Sequence, residues 1–188
     1  MSWQYFPDLG GTFHHRLSFW IPEEAMSYQR GRASVTGEGK LFVYTPAAMT
    51  HYQNRVRNAF AIRAREEGRI HEYPWDLGPV EANIIAYYPL PQSGRVTERS
   101  RCKVTKDVDN IAKCILDSLN YKKTVKLTKK NERTGKSSMV IVRDAPYTDD
   151  RLIRRLSVAK VYSESYVGSM VTLDFYIDEL APTKGRKR

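Results

Sequence analysis

Residues 106–120 read Lys-Asp-Val-Asp-Asn-Ile-Ala-Lys-Cys-Ile-Leu-Asp-Ser-Leu-Asn, and an extended stretch turns into a helix inside them. Val108, Ile111, Ala112, Ile115, Leu116 and Leu119 fall at i, i+3, i+4, i+7, i+8 and i+11, the spacing of a helix with one buried face, and Asn120 suits its C-terminal stop. Residues 102–106 lack that repeat and read as extended chain. The helix therefore opens on an acidic pair, Asp107 and Asp109. In extended backbone, side chains two apart point to the same side and converge on one hard cation such as Mg²⁺, whereas two helical positions would diverge by about 200°. Taken alone, the pair also fits a helix-capping Asp109 beside a solvated Asp107. Lys113, one turn beyond Asp109, reads by itself as a surface i, i+4 ion pair, and Asp117 continues that face.

Working outward, Leu17, Phe19 and Ile21 alternate up to Pro22, the pattern of a first strand. A polar loop with Gln29, Arg30, Gly31 and Arg32 follows, and Leu41 to Tyr44 forms a short strand. Thr45 before Pro46 predicts a capped helix start, with Met49, Tyr52, Val56, Ala59 and Phe60 at helical spacing and Gly68 at its end, which gives a helix over 46–67. Val80, Ala82, Ile84, Ala86 and Tyr88 alternate as a strand with one buried face until Pro89 and Pro91. Val125, Leu127, Met139 and Ile141 flank a polar stretch with Gly135 and predict a basic β-hairpin over 122–143. Val171, Leu173, Phe175 and Ile177 make a last amphipathic strand. The architecture implied is α+β: a single domain over 16–180 with a mixed β-sheet of four to five strands and two main helices packed on it. An inserted basic hairpin at about 121–146, an N-terminal extension over 1–15 and a basic tail over 181–188 complete it.

The chain has 188 residues and a formal net charge of +10, from 31 Lys and Arg against 21 Asp and Glu. With 41% hydrophobic and 11% aromatic residues it can close a core, so a disordered basic protein is excluded. No apolar run approaches the ~20 residues of a membrane span and the start lacks a signal-peptide pattern, so a cytoplasmic, membrane-free protein is expected. Cys102 and Cys114 lie without a CxxC, and His14, His15, His51 and His71 show no zinc-cage spacing; His14 and His15 read as surface or edge residues. The charge excess points to a polyanion, because phosphate neutralisation releases counterions. Seven Lys or Arg against one acid lie between Tyr121 and Ser138. A second acidic pair, Asp149 and Asp150, follows Pro146-Tyr147-Thr148 and reads by itself as a turn or cap. Two acidic pairs in a basic chain suit a metal-dependent nuclease, in which carboxylates hold the ion and cations offset developing phosphate charge. A sugar-nucleotide transferase also uses an Asp-x-Asp, but no Gly-rich turn follows the first strand.

The stretch Lys106-Asp107-Val108-Asp109-Asn110-Ile111-Ala112-Lys113, with Leu116-Asp117-Ser118-Leu119-Asn120, resembles the signature of the RusA family of Holliday-junction resolvases, endodeoxyribonucleases common in phages and prophages. Asp149-Asp150 with Lys160 ten residues on is similar to the family's second motif, and Gln29-Arg30-x-Arg32 and Tyr44-Thr45-Pro46 agree more loosely. The resemblance spans roughly residues 16 to 179. It implies that Asp107, Asp109 and Asp150 are the metal-binding acids, with Asp149 adjacent and ligating, and that Lys113 is the active-site lysine. It also implies a Mg²⁺ cofactor for which Mn²⁺ substitutes, and a homodimer resolving four-way DNA junctions by paired, symmetric nicks. Arg30, Arg32, Lys126, Lys129, Lys130, Arg133 and Lys136 are candidate DNA-backbone contacts. Two departures stand out: about 28 residues separate Asn120 from Asp149, where the family gap is short, and the first 15 residues are an addition. A non-catalytic, structure-selective DNA binder and a broader flap or fork nuclease are the alternatives.

Overall fold

Alternation builds the sheet. The computed structural model describes residues 11–92, 96–120, 127–130, 137–140 and 145–178. In β4 (Val80–Pro89), Val80, Ala82, Ile84, Ala86 and Tyr88 are buried while their neighbours face outward, the period-two division of a strand. β8 (Gly168–Ile177) repeats this with Val171, Leu173 and Phe175, and β1 (Thr12–Ile21) with His15, Leu17, Phe19 and Ile21. The order is β1-β8-β4-β7, antiparallel except that β7 (Ile153–Ser163) lies parallel to β4. The sheet is thus mixed, and with its two helices the fold is α+β.

The first helix, α1 (Ala47–Glu66), lays Met49, Tyr52, Val56, Phe60 and Ala64 over β1; the second, α2 (Val108–Leu119), lays Ile111, Ile115 and Leu119 beside β7. Each large apolar side chain buried there contributes about 1.5–3 kcal/mol. Arg57 joins the helices, its buried guanidinium donating from Nε to the Ser118 carbonyl at 3.0 Å and from Nη1 to Asn54 Oδ1 at 2.8 Å. The start of α1 differs from the expected cap. Pro46, with extended ψ, is itself the capping residue, its carbonyl accepts the Thr50 amide at 3.1 Å, and no side chain caps the helix. At the other end Gly68 has φ +70°, and the Arg69 and Gly68 amides reach back to the Ala64 and Arg65 carbonyls, a closure that needs a left-handed residue.

Two small ribbons stand apart from the sheet: β2 (Arg32–Val35) with β3 (Leu41–Tyr44), and β5 (Leu127–Lys130) with β6 (Ser137–Val140). The second is the hairpin expected from the sequence, with Leu127 opposite Val140. β1 begins at Thr12, inside the stretch assigned to an N-terminal extension. The register shifts between Phe13 and His15, which breaks the alternation and hid this part of the strand from a period-two reading. His15 is accordingly not a surface residue. It is 6% exposed, stacks on Phe175 at 4.6 Å between centroids, and has its pKa lowered to about 4 by burial, with Arg69 and His14 adding to the effect.

Both cysteines are free. Burial pushes the Cys114 thiol up to about 12, Asp117 adding to the shift, while Cys102 is only half-buried. Since the thiolate is the reactive form, a thiol reagent applied to the folded protein at pH 8 modifies Cys102 and spares Cys114 until denaturant is added. Peptide mass mapping reads this directly, and rapid labelling of Cys114 in native buffer would contradict the packing of α2. Among the described residues no helix is long and apolar enough to cross a membrane.

Candidate active site

The chain leaves β4, crosses through α2 and returns as the parallel β7, a crossover that sets the N-terminus of its helix at the carboxyl ends of its strands, where open sheets leave a crevice. Asp107 is the extended residue that precedes α2, at φ −72° and ψ 140°, and its carboxylate makes no capping hydrogen bond. Asp109 lies in the first helical turn. The pair therefore spans an extended-to-helix transition rather than a wholly extended segment, and Asp107, not Asp109, occupies the cap position. Both line an open cleft of about 650 Å³ together with Glu98, Arg99, Arg101 and Lys160.

Lys160 holds the approach to this pair. From β7 its Nζ donates to the Val104 carbonyl at 2.7 Å and the Lys106 carbonyl at 2.6 Å, while the Lys103 amide donates to the Tyr162 hydroxyl at 3.1 Å. The segment before Asp107 is thus tied to β7 by two charge-assisted hydrogen bonds and a neutral one. On the opposite flank the Tyr28 amide donates to the Asn110 carbonyl at 2.9 Å. Lys113 is exposed and stands over the Tyr28 ring, 4.5 Å from its centroid. The expected ion pair with Asp109 does not form: the cation lies on an aromatic face instead.

Asp149 and Asp150 lie elsewhere along α2. Tyr147, fully buried, donates its hydroxyl to the Leu116 carbonyl at 2.8 Å and bridges to Asn120, which fixes this segment at the C-terminal end of the helix. Asp149 Oδ1 accepts the Arg151 amide at 3.1 Å and caps the short 3-10 turn Asp150–Leu152. Burial raises the Tyr147 phenol well above its ordinary range, with Asp150 and then Asp117 adding to the rise. With 12 residues in α2, the two acidic motifs stand at ends of a helix about 18 Å long. Asp107 and Asp109 share the lining of one cleft, whereas the segment that leads into Asp149 and Asp150 packs at the other end of α2, against Leu116 and Asn120. Asp109, Lys113 and Asp117, four residues apart, mark the strip of helix between them.

The two aspartates at the cleft suit a divalent ion of the Mg²⁺ or Mn²⁺ type: both are hard carboxylates, both are exposed, and neither is spent on capping. Arg99 and Arg101 were not singled out in the sequence; Arg99 lies in the turn closed by the Ser100 amide on the Thr97 carbonyl, and Arg101 follows it. Arg30 and Arg32 are exposed, Arg32 opposite Tyr44 at the start of β2. Lys129 and Lys130 belong to β5, where they pair with Ser138 and Ser137; Lys126, Arg133 and Lys136 lie outside the described residues. A family model described as endodeoxyribonuclease RusA matches residues 18–127, a span that contains Asp107, Asp109 and Lys113 and ends before Asp149. No curated protein matches the chain.

Proposed function

Since the chain belongs to the RusA endodeoxyribonuclease family, we propose that it is a metal-dependent endonuclease that resolves four-way DNA junctions. The observation that supports this reading is that Asp107 and Asp109 line one cleft, at the start of α2, together with Arg99, Arg101 and Lys160. Asp107 and Asp109 hold the cofactor, Mg²⁺ or Mn²⁺. A divalent ion bound by such carboxylates polarises a phosphate oxygen and lowers the pKa of bound water. The residues of the chain do the rest. Arg99 and Arg101 offset phosphate charge at the cleft, Lys160 keeps Asp107 in place, and Lys113, raised on the Tyr28 ring, meets the phosphate backbone along the helix. Arg30, Arg32 and the hairpin Lys126, Lys129, Lys130, Arg133 and Lys136 supply backbone contacts that position the junction.

Asp150, with Asp149 beside it, is the second acidic position of the same reaction. A homodimer gives it a way to act with the first. If α2 of each protomer crosses the two-fold axis antiparallel, Asp150 of the partner subunit comes to the cleft built by Asp107 and Asp109, and two such cleft sites face two equivalent strands. Mixed dimers test this. Asp109→Asn and Asp150→Asn protomers are each inactive alone, and together they restore one site per dimer if the acids act across the interface. No recovery on mixing places all the acids in one protomer.

The activity itself is tested on a labelled four-way junction beside a linear duplex of matching sequence, with Mg²⁺, Mn²⁺ or EDTA. Paired nicks confined to the junction and lost in EDTA are expected. Nicking of flaps or forks at the same rate would widen the substrate class, and tight binding without nicking under either metal would make the protein a structure-selective binder. Deleting residues 124–142 is expected to weaken junction binding and flatten its dependence on salt, because fewer counterions are released.

A further inference from the structure

After its first two residues β1 carries two adjacent histidines, His14 and His15, which in a regular strand would point to opposite faces. The register shift between Phe13 and His15 leaves His14 unpaired in a bulge, and a bulge re-aims its side chain. The His14 and His15 rings consequently meet edge to face with centroids 4.9 Å apart. Glu72, at the end of the 3-10 turn Ile70–Glu72, faces them, with Oε2 3.7 Å from His14 Nε2. One donor atom from each of the three lies within 4.8 Å of the other two, the one such group among the described residues.

His15 gives an independent sign of a ligand. It is 6% exposed, its Nε2 lies 2.9 Å from the Tyr73 hydroxyl, and its Nδ1 is buried with no hydrogen-bond partner. An unused buried polar atom is costly and uncommon. In the tautomer whose Nε2–H donates to Tyr73, Nδ1 carries a lone pair with no hydrogen-bond partner. That is the arrangement of a ligating imidazole whose other nitrogen is fixed by an outer partner.

We propose that His14, His15 and Glu72 bind one transition-metal ion of the zinc class, at a site distinct from the acidic cleft. Two imidazoles and a carboxylate are the borderline donors that Zn²⁺ prefers over Mg²⁺, and three protein ligands leave a fourth position for water. Arg69 Nη1 now holds both Glu72 oxygens, at 3.1 and 3.0 Å, so the ion takes one oxygen from that pair. Its effect is structural. His14 stacks on Trp75 at 5.0 Å, and Trp75 exchanges backbone hydrogen bonds with Pro146 and Thr148. Binding therefore fastens the start of β1 to the segment that leads into Asp149 and Asp150.

The test uses the full chain, stripped with EDTA and moved to metal-free buffer, titrated with Co²⁺ and with Zn²⁺ and followed by absorbance, calorimetry and thermal unfolding. With millimolar Mg²⁺ present throughout to fill the acidic cleft, one saturable equivalent per chain is expected, with a nitrogen and oxygen ligand-field spectrum, displacement of Co²⁺ by Zn²⁺, and a higher Tm when loaded. His14→Ala and Glu72→Gln each weaken binding by roughly tenfold or more, while the double variant Asp107→Asn with Asp109→Asn binds as wild type does. His14 is exposed, so its replacement leaves a folded protein, which circular dichroism verifies. The proposal is overturned by no saturable binding at millimolar metal, by affinity unchanged in both His14→Ala and Glu72→Gln, by loss of binding in the Asp double variant, or by a thiolate charge-transfer band.

Discussion

Replacing Asp109 by Asn is expected to abolish junction cleavage while leaving junction binding intact. Asp109 is exposed in the first turn of α2 and lines the same cleft as Asp107. Its side chain does not hold the fold together, and the only folded-state loss is an acid near a helix N-terminus, worth about 0.3–1 kcal/mol. The rate loss should be far larger, roughly a hundredfold or more, because under the proposed function the substitution removes one of the two carboxylates that hold the metal. Binding should hold or tighten slightly, since one negative charge fewer faces the DNA phosphates. Single-turnover cleavage and a gel-shift titration on the same preparation separate the two. Asp107→Asn is expected to behave alike. Wild-type rates in both variants would move the chemistry away from the start of α2.

Lys160→Met is expected to produce the second large effect by another route. The side chain keeps its length but loses the two hydrogen bonds to the Val104 and Lys106 carbonyls. Hydrogen bonds to a charged donor contribute about 1.5–3 kcal/mol each, yet Lys160 is only half-buried and water replaces part of the loss, so the net cost is on the order of 1–2 kcal/mol. For a chain of this size that lowers Tm by roughly 2–8 °C. Cleavage should fall further than stability suggests, by about tenfold or more, because the segment that aims Asp107 is released. Amide exchange should quicken at residues 103–107 and remain slow in β4 and β8. An unchanged cleavage rate with faster exchange at 103–107 would show that Asp107 needs no such tether.

The regular elements were legible where burial is one-sided. β4 and β8 write their pairing face into alternate residues, and α2 writes its face at helical spacing. β7 left no such trace: it is an edge strand with Leu156 45% exposed and Arg154 and Arg155 near its start, so nothing enforced alternation. The first residues of β1 were missed because the bulge at His14 breaks the period. The candidate site was legible in part. Asp107, Asp109 and Lys113 stand out by residue type and spacing, and the family match covers them. Arg99 and Arg101 did not stand out, because a charged loop carries no periodic signal.

By itself the sequence determined what depends on neighbours along the chain: the helix at 108–119, the acidic pair at its start, the strands with one apolar face, the basic charge, and the family. Tertiary structure alone decided what depends on residues distant in sequence. Lys160 meets Val104 and Lys106 because β7 lies parallel to β4 beside the crossover helix. Asp149 and Asp150 stand at the other end of that helix because Tyr147 is buried against Leu116. Periodicity records which way a side chain faces within its own element; only packing sets which elements its functional group meets.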